Sequence, residues 1–332
     1  MKRETLFAKG EYCGGSYGFL DSLRSVVNRV LPDRVVVMWD GIMSGKLRHN
    51  FYEKYKENRN KSWDENSYKL DEYELDVEEK RKYSILQNKV KVKNYLEDLF
   101  IRQSEIPEVE GDDLIALYVQ MRAVDEQIII FSSDKDYLQL IEPGISVLRP
   151  SDNLMITSEN FKETFGYIPE NTLVLRCFEG DASDNISGVD GIGVKTIMKY
   201  FPRFKDEKYS VDRIIQEAVD IYQAPKKKVK ALEKIIGSRK VFERNRILMD
   251  LRNPFVNEEA KKEIFEIRSC IIALEDINYM QRSISNAFKL ALRDGYNTLM
   301  WQENMELFFR PFYRLVAKEK EFTKSTIENT NQ

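Results

Sequence analysis

Two short apolar runs, each ending on a carboxylate, constrain this chain more than anything else in it. Val35-Val36-Val37-Met38-Trp39 runs into Asp40-Gly41, and Gln127-Ile128-Ile129-Ile130-Phe131 runs into Ser132-Ser133-Asp134. Each follows a stretch with apolar residues at helical spacing, Leu20 to Leu31 closed by Pro32-Asp33, and Leu114 to Val124. Helix, turn and buried strand therefore recur. With a shorter strand near Ile145 to Leu148, the pattern predicts a three-layer α/β domain over residues 1–150. The β-branched runs predict interior rather than edge strands, and acids at strand carboxyl ends lie where such sheets bind ligands.

After Pro150 the sequence reads as mostly helical to residue 317, with loops at Gly166, Gly180 and Gly188 to Gly193. Residues 318–332 read as a flexible tail. Between the two strand units, residues 61–97 hold nine acidic and eight basic side chains, with apolar ones only scattered before Tyr83, which predicts an exposed excursion over the early half.

Charge and cysteine content exclude several classes. Lys plus Arg number 52 against 55 Asp plus Glu, a net charge of −3, so any nucleic-acid grip must be local. Cys13, Cys177 and Cys270 are far apart with no CxxC pair, which points to a reducing compartment and a cytoplasmic location, in the host cytoplasm if the chain is phage-encoded. No apolar run approaches the roughly 20 residues of a membrane span, and the first ten residues lack the apolar core of an export signal. His49 is the only histidine, which argues against histidine general-base chemistry and zinc hydrolases.

The acids fall in four groups: Asp40; Glu110, Asp112 and Asp113; Asp134 and Asp136; Asp181 and Asp184. Glu110 and Asp113, three apart at a helix start, are predicted to face one site. Asp134 and Asp136 share an edge after the second strand, and Asp181 and Asp184 have helical spacing. Any one of them alone reads as well as a helix cap. Together they are hard oxygen ligands suited to two Mg²⁺ or Mn²⁺ ions, and so to in-line phosphodiester hydrolysis.

The segment Gly188-Val189-Asp190-Gly191-Ile192-Gly193-Val194-Lys195-Thr196 misses the register of an ATPase phosphate loop, because Val194 separates Gly193 from Lys195. It reads instead as a tight turn between two helices, offering N–H groups and Lys195 and Lys199 to a phosphate, or as an ordinary helical turn. Lys46 to Lys61 carries a local charge of +4 with Phe51, Tyr52 and Tyr55 interleaved. Lys226 to Arg246 has nine basic residues against Glu233 and Glu243, or +7. Both suit phosphate contact without base readout, and a protein-docking face is the alternative for the second.

These motifs, Trp39-Asp40-Gly41, Glu110-Gly111-Asp112-Asp113, Ser132-Ser133-Asp134-Lys135-Asp136 and Gly180-Asp181-Ala182-Ser183-Asp184-Asn185, occur in an order that resembles the phage and bacterial 5′-3′ exonuclease and flap endonuclease family, including phage ribonuclease H. The likeness extends over about residues 5–255. It implies a PIN/5′-nuclease-like α/β domain with a mostly parallel sheet. It also implies a helical DNA-binding region containing a helix–three-turn–helix at about 178–201, and an arch or clamp at about 46–97. By the resemblance Asp40, Glu110, Asp112, Asp113, Asp134, Asp136, Asp181 and Asp184 line a two-metal cleft. Arg48, Tyr55, Lys56 and Arg59 approach the scissile phosphate, with Asp40, Arg48, Lys56, Arg59, Asp113 and Asp134 carrying the chemistry. Gly191, Gly193, Lys195, Thr196 and Lys199 contact duplex backbone, with K⁺ held by carbonyls of the turn.

Family members begin with a strand ending in Asp-Gly-Asn ahead of a segment like Arg3 to Ala8, and this sequence starts after that point. The resemblance thus implies a monomeric, metal-dependent 5′ nuclease acting on a 5′ flap, a nick, a free 5′ end or an RNA–DNA hybrid, with a replication protein as a possible partner. A DNA-structure-binding protein weakened by the absent aspartate, or a metal-dependent RNA nuclease, are the alternatives.

Overall fold

The computed structural model describes residues 7–8, 11–57, 77–223, 229–269, 285–299 and 305–330. The chain divides into two compact units. One comprises Met1–Val37, Ser62–Ser104 and Glu266–Gln332; the other comprises Met38–Lys61 and Glu105–Phe265. The boundary expected at residue 150 lies inside the second unit. Strand Ile145–Arg149 turns back there and pairs antiparallel with Leu154–Ile156, and an Arg149–Asp152 ion pair of 2.6 Å closes the turn.

In the first unit, helix Gly14–Val30 buries Leu20, Leu23 and Val27. It stops at Leu31, whose left-handed backbone (φ 54°) lets its N–H reach Val27 O at 2.9 Å, and Pro32 cannot continue it. Helix Val77–Asp98, with Val92, Tyr95 and Leu96 buried, and the final helix Met305–Thr330, with Phe308, Phe309 and Phe312 buried, pack against it. The tail expected from residue 318 continues that last helix as far as Thr330. Strand Val36–Met38 pairs with Arg102–Ser104.

The second unit is built on a three-stranded sheet. Ile128–Phe131 runs parallel to Ile145–Arg149 in the register Ile128 to Ile145, and Ile145–Arg149 pairs with Leu154–Ile156. Among the described residues Ile128–Phe131 has a neighbour on one side only, and Ile129 and Phe131 are each 37 % exposed. Among the described residues the interior position expected for this strand is not met. Its β-branched residues satisfy the pleated backbone's preference without burial on both sides.

Helix Gly111–Gln120 covers the sheet with Ala116 and Val119, and its first-turn acids Asp112 and Asp113 complement the positive helix end. The helices of residues 161–249 extend the same core through Phe161, Phe178, Phe201 and Phe204. The helical turn expected at 178–201 is formed by Thr172–Glu179 and Val194–Tyr200, with a small antiparallel pair, Gly180–Asp181 and Ile186–Ser187, between them. Gly180 has a positive φ of 71°, and a Cβ there would sit 2.4 Å from Ile186 O, so only glycine lets the chain fold back at this point. Among the described residues no helix is long and apolar enough to cross a membrane.

Candidate functional site

All the described acids singled out in the sequence belong to the second unit. A close approach at Gly41 and the backbone N–H of Gly111 place the first of them. Asp40 follows strand Val36–Met38, and its Oδ1 accepts the Gly111 N–H at 2.8 Å, placing it at the amino end of helix Gly111–Gln120. A Cβ on Gly41 would lie 1.7 Å from Ile106 O, so the chain after Asp40 can pass only as glycine.

Around Asp40 gather Asp112 and Asp134. The Tyr137 hydroxyl donates to Asp112 Oδ1 at 2.5 Å. Burial pushes the Asp112 carboxyl up to about 7; the charges of Asp134, Asp40 and Glu110 add to the rise and the Tyr137 bond opposes it. Asp134 is exposed, and its Oδ1 accepts the Asp136 N–H at 2.8 Å in a tight Asx turn. The shared edge expected for Asp134 and Asp136 is present, but Asp136 turns toward a different partner.

That partner is Arg176, in the last turn of helix Thr172–Glu179. Its Nε donates to Asp136 Oδ1 at 2.6 Å and its Nη2 to Asp181 Oδ2 at 2.8 Å. Burial raises the Asp136 carboxyl to about 6 against the pull of Arg176. Asp181 Oδ1 accepts the Ser183 N–H at 2.8 Å, the Ser183 hydroxyl at 2.6 Å and the Asp184 N–H at 3.3 Å. Burial works to raise the Asp181 carboxyl, but these donors and Arg176 hold it below its usual value. The helical arrangement expected for Asp181 and Asp184 is thus a turn, closed by the first acid on the N–H groups that follow it.

A second cluster holds Glu110 and Asp113. Arg48 donates through Nη1 to Glu110 Oε2 at 2.5 Å and to Asp113 Oδ2, through Nη2 to Asp113 Oδ1 at 2.8 Å, and through Nε to Leu248 O at 2.8 Å. Its guanidinium carbon lies 4.8 Å from the Phe255 ring centroid, and Phe255 N–H donates to Asp113 Oδ1 at 3.0 Å. Glu110 and Asp113 do face one place, as their spacing predicts. Arg48, expected at a phosphate, is instead buried between them with 4 % exposure, because two buried carboxylates need a cation.

The Tyr55 hydroxyl donates to Glu110 Oε2 at 2.9 Å and to Asp184 Oδ2 at 3.2 Å, and burial together with Glu110's charge keeps the phenol protonated. Lys56 Nζ pairs with Glu110 Oε1, while Lys56 N–H donates to Asp184 O at 2.9 Å. Arg59 lies outside the described residues.

The eight acids therefore form a connected belt, joined by Arg48, Arg176, Tyr55 and Tyr137, rather than one cage. Among the described residues no group of three His, Cys, Asp or Glu side chains is gathered at metal-ligand geometry. The donor chemistry at Asp40, Asp112 and Asp134 nonetheless fits a divalent cation. These are hard oxygens whose charges repel one another, and among the described residues no lysine or arginine is bonded to Asp112 or Asp134. Glu110, Asp113, Asp136 and Asp181 have protein cations instead.

At the glycine turn, Gly188 to Gly193 and Glu179 line an open depression of about 460 Å³. Gly191 has a positive φ of 76°, and Lys195 and Lys199 are exposed on the helix Val194–Tyr200 that follows. Thr196, expected at a phosphate, uses its hydroxyl to donate to Gly191 O at 3.1 Å and so closes the turn. Gly193 caps the helix Val194–Tyr200.

Sequence reasoning missed Arg176 and Tyr137, and took Lys234 and Arg244 only as members of the +7 block. Arg176 was visible as a lone cation in the apolar run Leu173 to Phe178, one turn before Gly180. From the +7 block, Lys234 Nζ donates to Asp190 O at 2.8 Å and to Asp190 Oδ2 at 2.6 Å, and Arg244 Nη2 donates to Ser187 O at 2.5 Å. Part of that block therefore buttresses the turn.

A family model described as the 5′-3′ exonuclease N-terminal, resolvase-like domain matches residues 2–166. The chain belongs to the 5′-3′ exonuclease family. Among its relatives are a 5′-3′ exonuclease of Buchnera aphidicola subsp. Schizaphis graminum, 29 % identical over 210 residues (60 % of this chain and 65 % of the relative), and one of Mycoplasmopsis pulmonis, 25 % identical over 296 residues (87 % and 89 %). A second Buchnera exonuclease, from subsp. Acyrthosiphon pisum, is covered to 63 %, so the chain spans just under two thirds of the length of both Buchnera relatives.

Solved structures share the fold of this 5′-3′ exonuclease family member. The T5 5′-exonuclease with bound zinc ions matches at a TM-score of 0.54 and 19 % identity, over 83 % of this chain and 91 % of that one. The bacteriophage T5 flap endonuclease in a pseudo-enzyme–product complex with DNA and metal ions matches at 0.54 and 19 %, over 83 % and 90 %. The resolvase-like, PIN-type α/β fold with a helical region is the one the sequence led us to expect.

Proposed function

We propose that the chain is a divalent-metal-dependent, structure-selective 5′ nuclease that hydrolyses phosphodiester bonds in DNA at a 5′ flap, nick or free 5′ end, or in RNA–DNA primer substrates. The observation that carries this reading is the gathering of Asp40, Asp112 and Asp134 beside Tyr137, three motifs far apart in sequence. Asp40, Asp112 and Asp134 would hold the divalent ions, which when bound would supply charge compensation for in-line attack of water on phosphorus.

The protein's own groups have separable tasks. Tyr137 orients Asp112, and the Gly111 N–H orients Asp40. Arg48 neutralises Glu110 and Asp113 from beneath. Lys56, partly exposed at the Glu110 end, is the cation nearest to hand for a substrate phosphate. Lys195 and Lys199 add duplex backbone contacts at the glycine turn, whose carbonyls are candidates for K⁺. Selection of substrate then rests on shape, in keeping with the absence of any base-reading motif in the sequence.

The test is cleavage of a 5′-labelled flap by the 332-residue chain with Mg²⁺ or with a chelator. Short 5′ products that need Mg²⁺ support the reading, and equal cleavage in chelator overturns it. Tight binding without product indicates a DNA-structure-binding protein, and preference for unpaired RNA over matched DNA flaps indicates an RNA nuclease.

A further inference from the structure

We infer that Arg176 is a positioning residue that acts as the resident cation between Asp136 and Asp181, making the nuclease site asymmetric: one divalent ion binds readily at Asp40, Asp112 and Asp134, and a second binds only by displacing Arg176. This rests on the metal-dependent reading above and deepens it.

The guanidinium is one rigid fork with three of its nitrogens engaged. Nε reaches Asp136 Oδ1 at 2.6 Å, Nη2 reaches Asp181 Oδ2 at 2.8 Å and Nη1 reaches Gly180 O at 3.2 Å. It therefore ties two motifs 45 positions apart to the end of its own helix. The side chain is 12 % exposed and its two partners are each 19 % exposed, so solvent screens these bonds weakly.

Both oxygens of Asp181 are already engaged, Oδ1 by Ser183 and Asp184 and Oδ2 by the Arg176 cation. A divalent ion arriving at this half meets a positive charge already in place. At the other half, Asp112 and Asp134 have no lysine or arginine bonded to them among the described residues, and their mutual repulsion favours an ion. The two halves thus differ in what a cation must displace. A planar bidentate donor is needed for the bridge, which lysine cannot reproduce.

Mn²⁺ binding to the full chain, followed by electron paramagnetic resonance without substrate, tests this alongside flap cleavage. The parent should show one tighter and one weaker ion. Arg176→Gln should tighten the weaker ion by about tenfold while leaving the tighter one within about twofold. Arg176→Lys, which keeps a charge but loses the two-point bridge, should fall between, and it keeps the test open should the glutamine variant not fold. In cleavage, both variants should lower the Mg²⁺ concentration at half-maximal rate while reducing the maximal rate, because the Asp136–Asp181 spacing is no longer fixed. Unchanged ion binding in the folded variants, or equal weakening of both ions, overturns the inference. A parent whose tighter ion survives Asp112→Asn overturns the metal assignment of the site itself, a separate result.

Discussion

The Tyr137 hydroxyl donates to Asp112 Oδ1 at 2.5 Å in the middle of three carboxylates whose charges oppose ionisation. An acid whose folded value lies near 7 against an ordinary 3.8 stabilises the fold when protonated. That stabilisation is complete below pH 3.8 and disappears as pH rises through about 7. Without divalent ions, melting temperature should therefore fall between pH 5 and pH 8. Asp112→Asn should flatten the dependence, recovering on the order of 1–2 kcal/mol at pH 8. Mg²⁺ should restore the parent at pH 8. Thermal melts in chelator and in Mg²⁺ check all three.

Among the described residues, removing Arg48 leaves the buried Asp113 carboxylate without a cation and Glu110 with Lys56 alone. Arg48→Met should destabilise the second unit by about 3–5 kcal/mol, measured by urea unfolding. Arg48→Lys should recover only part of this, because one ammonium cannot serve Glu110, both oxygens of Asp113 and Leu248 O together.

Gly41 and Gly237 make a matched pair. A Cβ at Gly41 would lie 1.7 Å from Ile106 O, whereas one at Gly237 meets nothing closer than 3.6 Å. Gly41→Ala should cost about 3 kcal/mol or more and disturb Asp40, while Gly237→Ala should stay within about 1 kcal/mol of the parent. Chemical denaturation of both variants separates them.

Asp134 is exposed, and asparagine retains the Oδ1 that accepts the Asp136 N–H. Asp134→Asn should leave melting temperature within a few degrees of the parent, by about 0.5 kcal/mol or less. Flap cleavage should slow by about 100-fold or more. Single-turnover rates and flap binding in Ca²⁺ distinguish lost chemistry from lost affinity.

Lys199 stands exposed in the last turn of the helix after the glycine turn, while Lys234 is committed to Asp190. Lys199→Ala should lower the slope of log affinity against log salt by about 1, with little change in melting temperature. Lys234→Ala should lower both affinity and stability, since it also unties the turn. Binding isotherms over a salt series check both.

The repeating helix, strand and terminal acid were legible because their signals are local: apolar period, Pro32 as a stop, Gly41 and Gly111 beside their acids. A common cleft for the four acidic motifs was implied by the family resemblance, not by any local signal, and the structure links them as a belt. What escaped was everything set by distant packing. The first unit draws residues 1–37 together with residues 266–332, which no composition shift marks. The burial of Arg48 depends on Leu248, 200 positions away, and on the Phe255 ring. Charge is visible in a sequence, but the partner that consumes it is not, so Arg48 read as a phosphate contact and Arg176 did not register. Asp181 and Asp184 had helical spacing, yet Gly180 diverts the chain into a turn before a helix can form.

Lys56 holds a left-handed backbone (φ 53°) while its N–H donates to Asp184 O, and Asn185 Nδ2 donates to Lys54 O at 2.8 Å. These ties, one between main chains and one from a side-chain amide, make Lys54 to Lys56 and Asp184 to Asn185 one mechanical joint. A shift of the backbone at Lys54 to Lys56 is therefore delivered directly to the backbone of an acid in the belt.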